Sequence, residues 1–119
     1  MTSAAADIER AVDAYFAAWN ERDDGARQRL LDSAITDDCE LTGPTGTFRG
    51  RDAILRLIVA LQGRMGDAVT VRSGPVAVEE DDIRFPWQVR SSGGDSLLGG
   101  VDVVQMATDG RLARIAVAI

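Results

Sequence analysis

Apolar positions recur at helical spacing in the first half of the chain and at alternate positions in the second. Between Asp7 and Trp19, the residues Ile8, Val12, Tyr15, Phe16 and Trp19 fall at offsets 0, 4, 7, 8 and 11. That stripe predicts an amphipathic helix with Glu9, Arg10 and Asp13 on its far face. The stretch Trp19–Gly25 loses the period and marks a helix end and a new cap. A second, shorter helix is expected from about Ala26 to Ile35, carrying Leu30, Leu31, Ala34 and Ile35, with Asp37-Asp38 as its end. Cys39–Thr42 alternates and predicts a short strand. Gly43-Pro44-Thr45-Gly46 is a turn, and Thr47–Arg49 a short return strand. A third helix opens at Gly50–Ile54, with Ile54, Leu57, Ile58, Leu61 and Met65 as its stripe and Gly66 as its stop.

From Val69 the period changes from 3.6 to 2. Val69, Val71, Val76 and Val78 predict one strand broken near Gly74-Pro75, and Glu79–Asp82 a polar turn. Ile83–Arg90 is the next strand, with Phe85, Trp87 and Val89 on one face. Pro86 inside it argues for an edge position or a bulge. Ser91–Asp95 is a hairpin loop, Ser96–Ala107 a long strand, Thr108-Asp109-Gly110 a tight turn, and Arg111–Ile119 the last strand. Three helices, a hairpin among them, and then a four-stranded meander make an α+β domain. One sheet and three short helices can close as a cone whose interior is a pocket.

The 119 residues hold one domain, spanning 1–119. Charge narrows the chemistry. The net charge is −6, and no basic block offsets it, which makes nucleic acid and anionic membrane surfaces poor partners. All 13 basic residues are arginines; there is no lysine and no histidine. A Schiff-base lysine, a Ser-His-Asp triad, a Cys-His pair and a histidine-ligated metal are therefore excluded. Cys39 is the single cysteine, so no internal disulfide or thiolate cluster forms. No apolar run is long enough to span a membrane. Thr2–Ala6 has neither the basic start nor the apolar run of a leader. A cytoplasmic location and no cofactor are the expectations.

Several residues and motifs together resemble a known superfamily. They are Tyr15-Phe16-Ala17-Ala18-Trp19-Asn20 at the end of the first helix, Asp37–Leu41 at the step into the first strand, Phe48–Ile54 before the third helix, and Asp102–Ile115 with its Asp109-Gly110-Arg111 turn. In this order the chain resembles the nuclear transport factor 2-like superfamily, in its SnoaL-like and ketosteroid isomerase-like branches. The resemblance covers nearly the whole chain and implies a cone-shaped, cystatin-like fold: three N-terminal helices packed on a curved antiparallel sheet that encloses a pocket. The fold hosts many chemistries, so function must come from the site.

In the ketosteroid isomerase-like branch, a carboxylate base works with a Tyr and a protonated Asp that donate hydrogen bonds to an enolate oxygen. The resemblance puts Tyr15 on the Tyr position and Asp102 on the Asp position, eight residues before Gly110. The base position is occupied by Gly43. The implied function is an isomerase, cyclase or lyase acting on an apolar carbonyl compound polarised by Tyr15 and Asp102. The alternative is a non-catalytic ligand-binding or dimerisation module. Epoxide hydrolase-like water activation comes third, since Gly100 stands where an Arg would be needed.

Each candidate also has a bland reading. Asp102 shares a face with Val104 and Met106; it either faces an apolar pocket, with a raised pKa, or pairs with an Arg on the outer face of the sheet. Gly99-Gly100 would permit a bulge that re-aims it. Tyr15 is pocket lining or simply core. Trp87 with Phe85 and Val89 forms an aromatic wall or core packing. Trp19 near the rim, Leu41, Val104 and Met106 complete the expected ligand-contacting set. Cys39 is expected to be buried and inert. The acids of Glu79–Asp82 read as a solvated turn, and no metal site is expected. Asp23-Asp24 reads as helix-terminal charge, and Arg49 and Arg51 as surface ion-pair partners. Val101, Val103, Val117 and Ile119 suggest an apolar outer sheet face covered by a second copy in a homodimer.

Overall fold

In the computed structural model, residues 4–80 and 82–119 are described. The leader-free reading of Thr2–Ala6 falls partly outside them, as does Asp81 of the expected acidic turn. The first helix, α1 (Ala4–Asn20), is followed by α2 (Asp24–Ala34). Asp23 caps α2: its carboxylate accepts from the Ala26 N–H at 2.8 Å, satisfying one of the free donors of the first turn. The chain then enters β1 (Ile35–Gly43), turns into β2 (Gly46–Arg49), and forms α3 (Arg51–Met65), which ends at Gly66. The remaining strands are β3 (Val69–Arg72), β4 (Ala77–Glu79), β5 (Asp82–Arg90), β6 (Ser96–Met106) and β7 (Leu112–Ala118).

The strands form one sheet in the order β2-β1-β7-β6-β5-β3, with β4 also on β5. The curved sheet is mixed rather than wholly antiparallel, because β1 and β7 run parallel. That pairing explains a second difference. Ile35, Thr36, Asp37 and Asp38 belong to β1 rather than to the end of α2, since Ile35 already pairs with Leu112. The register slips between Ile35 and Glu40. Asp37 and Asp38 stay exposed there, and Asp37 meets Arg51 at 2.6 Å.

Pro86 sits neither at a sheet edge nor in a bulge of β5. β4 pairs with Asp82–Arg84 and β3 with Trp87–Arg90, so Pro86 falls in the gap between two neighbours. Its missing N–H leaves no ladder bond unmade, and its carbonyl accepts from the Ser73 N–H at 2.9 Å. The expected single broken strand over Val69–Val78 is thus two strands sharing one partner.

A buried polar cluster that no apolar pattern announces joins the helices. Arg27, 4% exposed, donates to the Glu21 carbonyl at 3.0 Å and to Gln62 Oε1 at 2.7 Å. The Gln62 amide in turn donates to the carbonyls of Trp19 and Glu21, both at 2.8 Å. Carbonyls at and just past the end of α1 are so satisfied by side chains from α2 and α3. Asn20 then anchors β3. Its amide donates to the Thr70 carbonyl at 2.7 Å and its oxygen accepts from the Thr70 N–H at 2.8 Å, as a neighbouring strand would.

Candidate functional site

The inner face of the sheet changes character along its strands. Toward the start of β5, Ile83 and Phe85 pair with Val104 and Asp102 of β6, and with Ile115 and Leu112 they form a filled core. Phe85 is fully buried and meets Phe16 edge-on, with ring centroids 5.5 Å apart. Past Asp102 the packing stops. Trp87 and Val89 of β5, Leu98 of β6, Val117 of β7 and Leu41 of β1 face a cavity of about 480 Å³. From the helices come Tyr15, Phe16 and Trp19 of α1 and Leu57, Leu61 and Met65 of α3. Buried Tyr15, Asp102, Trp87, Leu41 and Thr70 make its floor; exposed Pro44, Arg64, Leu97, Leu98 and Ile119 make its rim.

Asp102 lies on this boundary, 4% exposed. Its position follows from the regular β5–β6 register, Phe85↔Asp102 and Trp87↔Gly100, with no bulge at Gly99-Gly100. The glycine serves close approach instead. A Cβ at Gly100 would sit 2.8 Å from the Trp87 ring and 2.0 Å from the Ala118 carbonyl oxygen. Without it, the Trp87 indole packs against β6 beside Asp102.

The electrostatics follow from burial. Asp102 Oδ1 has no hydrogen-bond partner, and no arginine is paired with the carboxylate among the described residues. Loss of water pushes the Asp102 carboxyl from its usual 3.8 up to about 7. The nearby Trp87 indole N–H acts in the opposite sense, favouring the charged form, but its geometry falls short of a hydrogen bond. Tyr15, 2% exposed, is raised well above its usual 10, by burial first and then by the negative charge of Asp102. It stays a neutral donor at any ordinary pH. Burial, then Asp38 and Glu40, push the Cys39 thiol up to about 12, which removes it as a nucleophile.

Of the residues expected at the site, Tyr15, Asp102, Trp19, Leu41, Trp87 and Val89 line this one cavity. Phe85, Val104 and Met106 do not: they lie beyond Asp102 at the packed end, Phe85 and Val104 fully buried. Period 2 identifies the inner face but not where along a strand filling stops. Val117 and Ile119 also move. Val117 is directly opposite Asp102, so both line the cavity and leave Val101 and Val103 on the outer face. Gly43 stands at the cavity wall, as the family offset implies. A Cβ there would rest 3.7 Å from Val117 Cβ, an ordinary contact. The α3 contribution goes beyond the sequence pattern, which marks one apolar stripe only. Its stripe is two ridges: Ile54, Ile58 and Gln62 face the core, and Leu57, Leu61 and Met65, four apart, face the cavity.

Helices segregated on one side of a curved sheet, with an apolar cavity between them, define a cone-shaped α+β domain. Residues 12–115 match the model of the SnoaL-like domain, and the chain belongs to that family. It is similar to the solved structure of a SnoaL-like family protein from Agrobacterium tumefaciens, a candidate isomerase. There the identity is 27%, the TM-score 0.84, and 95% of this chain and 98% of that one are covered. A candidate polyketide cyclase from Sinorhizobium meliloti shares the fold at 23% identity and TM-score 0.71, covering 96% and 98%. A cystatin-like fold protein of unknown function from Methylobium petroleophilum shares it at 15% and 0.76, covering 95% and 75%. No curated protein matches the sequence. No helix among the described residues is long and apolar enough to cross a membrane.

Proposed function

We propose that the protein binds an apolar carbonyl compound in this cavity and moves a proton on it, as an isomerase, cyclase or lyase. The observation that carries the reading is Asp102: a buried carboxyl with an unpartnered oxygen, the single carboxylate among the residues lining a mostly apolar cavity. The Tyr15 hydroxyl, held protonated, donates to the carbonyl oxygen. The Trp87 Nε1–H, buried and unpartnered, is a second donor. With its pKa near 7, the Asp102 carboxyl is close to half ionised at neutral pH. As carboxylate it takes a proton from the carbon beside the carbonyl, and the electron pair moves to the oxygen as an enolate. As acid it returns the proton to carbon, or donates to the carbonyl oxygen beside Tyr15. A group poised near the working pH does this best, contributing typically ~10²–10⁴-fold. The donors gain strength as charge develops on the oxygen. On this reading no separate base is required at Gly43.

The 27%-identical candidate isomerase supports the reaction class. A second reading, a binding module without chemistry, is favoured by the lack of a second carboxylate in the lining and of any side chain at Gly43. Epoxide hydrolysis, which would need two acids and an arginine around a water, finds a single acid, Asp102, in the lining.

Deuterium uptake from heavy water by a panel of aryl ketones, beginning with 2-acetylnaphthalene, tests the proposal. Exchange beside the carbonyl in the wild type, lost in Asp102→Asn while ketone binding persists, is the expected result. Binding without exchange assigns the module reading. Absence of both removes the carbonyl pocket.

A further inference from the structure

We infer that the ligand is an acid: its carbonyl end lies at the floor, and a carboxylate at its other end meets Arg64 on the rim. The inference rests on the carbonyl-pocket reading above and narrows its ligand class. Three observations point the same way.

Arg64 is the single cation among the residues lining the cavity. It projects from the last turn of α3, and it forms no ion pair or hydrogen bond with any described residue. Arg22, Arg27, Arg51 and Arg72 have carbonyl or carboxylate partners; Arg29 and Arg56 also have none among the described residues, but of the unpaired arginines Arg64 alone lines the cavity. In a chain of net charge −6, a guanidinium left unpaired beside an apolar opening is an available anion partner. Around it the rim is otherwise mostly apolar, with Pro44, Leu97, Leu98 and Ile119. A charged ligand group therefore has one place to settle.

The polar atoms inside are the second observation. Asp102 Oδ1, Trp87 Nε1 and Thr70 Oγ1 are each buried without a partner, and all three residues line this cavity. Buried polar groups are nearly always hydrogen-bonded, so orphans sharing one cavity point to a polar ligand rather than a hydrocarbon. The third observation is the sign of the charge. With the Asp102 carboxyl largely neutral at slightly acidic pH, the fixed charge on the lining is that of Arg64 alone. An anion on the ligand is then attracted at the rim and meets no carboxylate below. Arg binds carboxylate through parallel N–H donors, giving orientation as well as affinity. The ligand's carbonyl end would so be directed inward.

Two matched probes test this: 4-(2-naphthyl)-4-oxobutanoate and its methyl ester, titrated by tryptophan fluorescence at pH 6 and low salt. The wild type should bind the acid about three- to fivefold more tightly than the ester, as an ion pair at an exposed rim predicts. Arg64→Gln should abolish that preference, the acid falling to about the affinity of the ester; Arg64→Lys should retain part of it. High salt should shrink the preference in the wild type alone. If the ester binds the wild type as tightly as the acid, or if Arg64→Gln weakens both equally, the acid assignment is overturned while the carbonyl pocket stands. If neither probe binds, both readings fall together.

Discussion

Replacing Asp102 by Asn should stabilise the protein in alkaline solution and change little in acid. The carboxyl is raised by burial from 3.8 to about 7, so the folded chain holds its proton more tightly than the unfolded one. Between those two values the folded state binds more protons, and stability must fall as pH rises. Below about pH 4 both states are protonated and no penalty exists. Above about pH 7 both are ionised and the penalty is complete. At 1.36 kcal/mol per pH unit the full cost is about 4 kcal/mol at most, since cavity water reduces it. Asn keeps the shape and an N–H donor for the same place but cannot ionise, so it escapes the cost. The readout is urea unfolding followed by tryptophan fluorescence at pH 5 and pH 8. The stability difference, variant minus wild type, should grow by roughly 2–3 kcal/mol between these two values, the rest of the cost being already present at pH 5. A constant offset of the substitution drops out of that comparison. A difference that stays flat with pH would mean that Asp102 titrates normally, and burial would not be its governing influence.

Gly100→Ala should destabilise by at least ~1–3 kcal/mol, because its Cβ would overlap the Trp87 ring and the Ala118 carbonyl; a shift in the denaturant midpoint measures it, and a neutral result would contradict the packing. Gln62→Leu leaves the Trp19 carbonyl and one Arg27 donor without a partner, so a loss of ~1–3 kcal/mol is expected by the same measurement. Gly43→Asp should fold normally, since a Cβ there makes ordinary contacts, and should add an exchange activity that survives in the double variant with Asp102→Asn; failure of any exchange to return would show that the Gly43 position does not reach bound ketone. Affinity for neutral ketones should fall as pH rises through about 7, where the Asp102 carboxyl ceases to donate; a pH-independent affinity would leave Tyr15 and Trp87 as the sole donors.

Much of this architecture is legible from residue periodicity. The helical stripes of Ile8–Trp19 and Ile54–Met65, the alternation across Ile83–Arg90 and the Asp-Gly turn each depend on neighbours close in sequence. What escaped depends on partners far away. Ile35 looks helical until Leu112 is placed beside it in a parallel pair. Pro86 looks like an edge residue until β3 and β4 are seen to share one partner strand. Phe85 and Trp87 carry the same pattern, yet the first is core and the second faces the cavity, because Phe16 fills the space on one side of Asp102 only. Val117 and Ile119 suit either face by composition; the pairing Asp102↔Val117 decides it. Arg27 and Gln62 carry no apolar signal at all, and only the converging helix ends give them their partners.

The account turns on the state of one carboxyl, and carbon-detected NMR titration of Asp102 reads it directly. With the chain labelled at aspartate, the Asp102 side-chain carbon should titrate near pH 7, well above the usual 3.8. Its midpoint should move when an aryl ketone fills the cavity, because the carbonyl oxygen accepts from the neutral form. A midpoint at or below about 4, unmoved by ketone, would contradict both the buried carboxyl and the proton chemistry built on it.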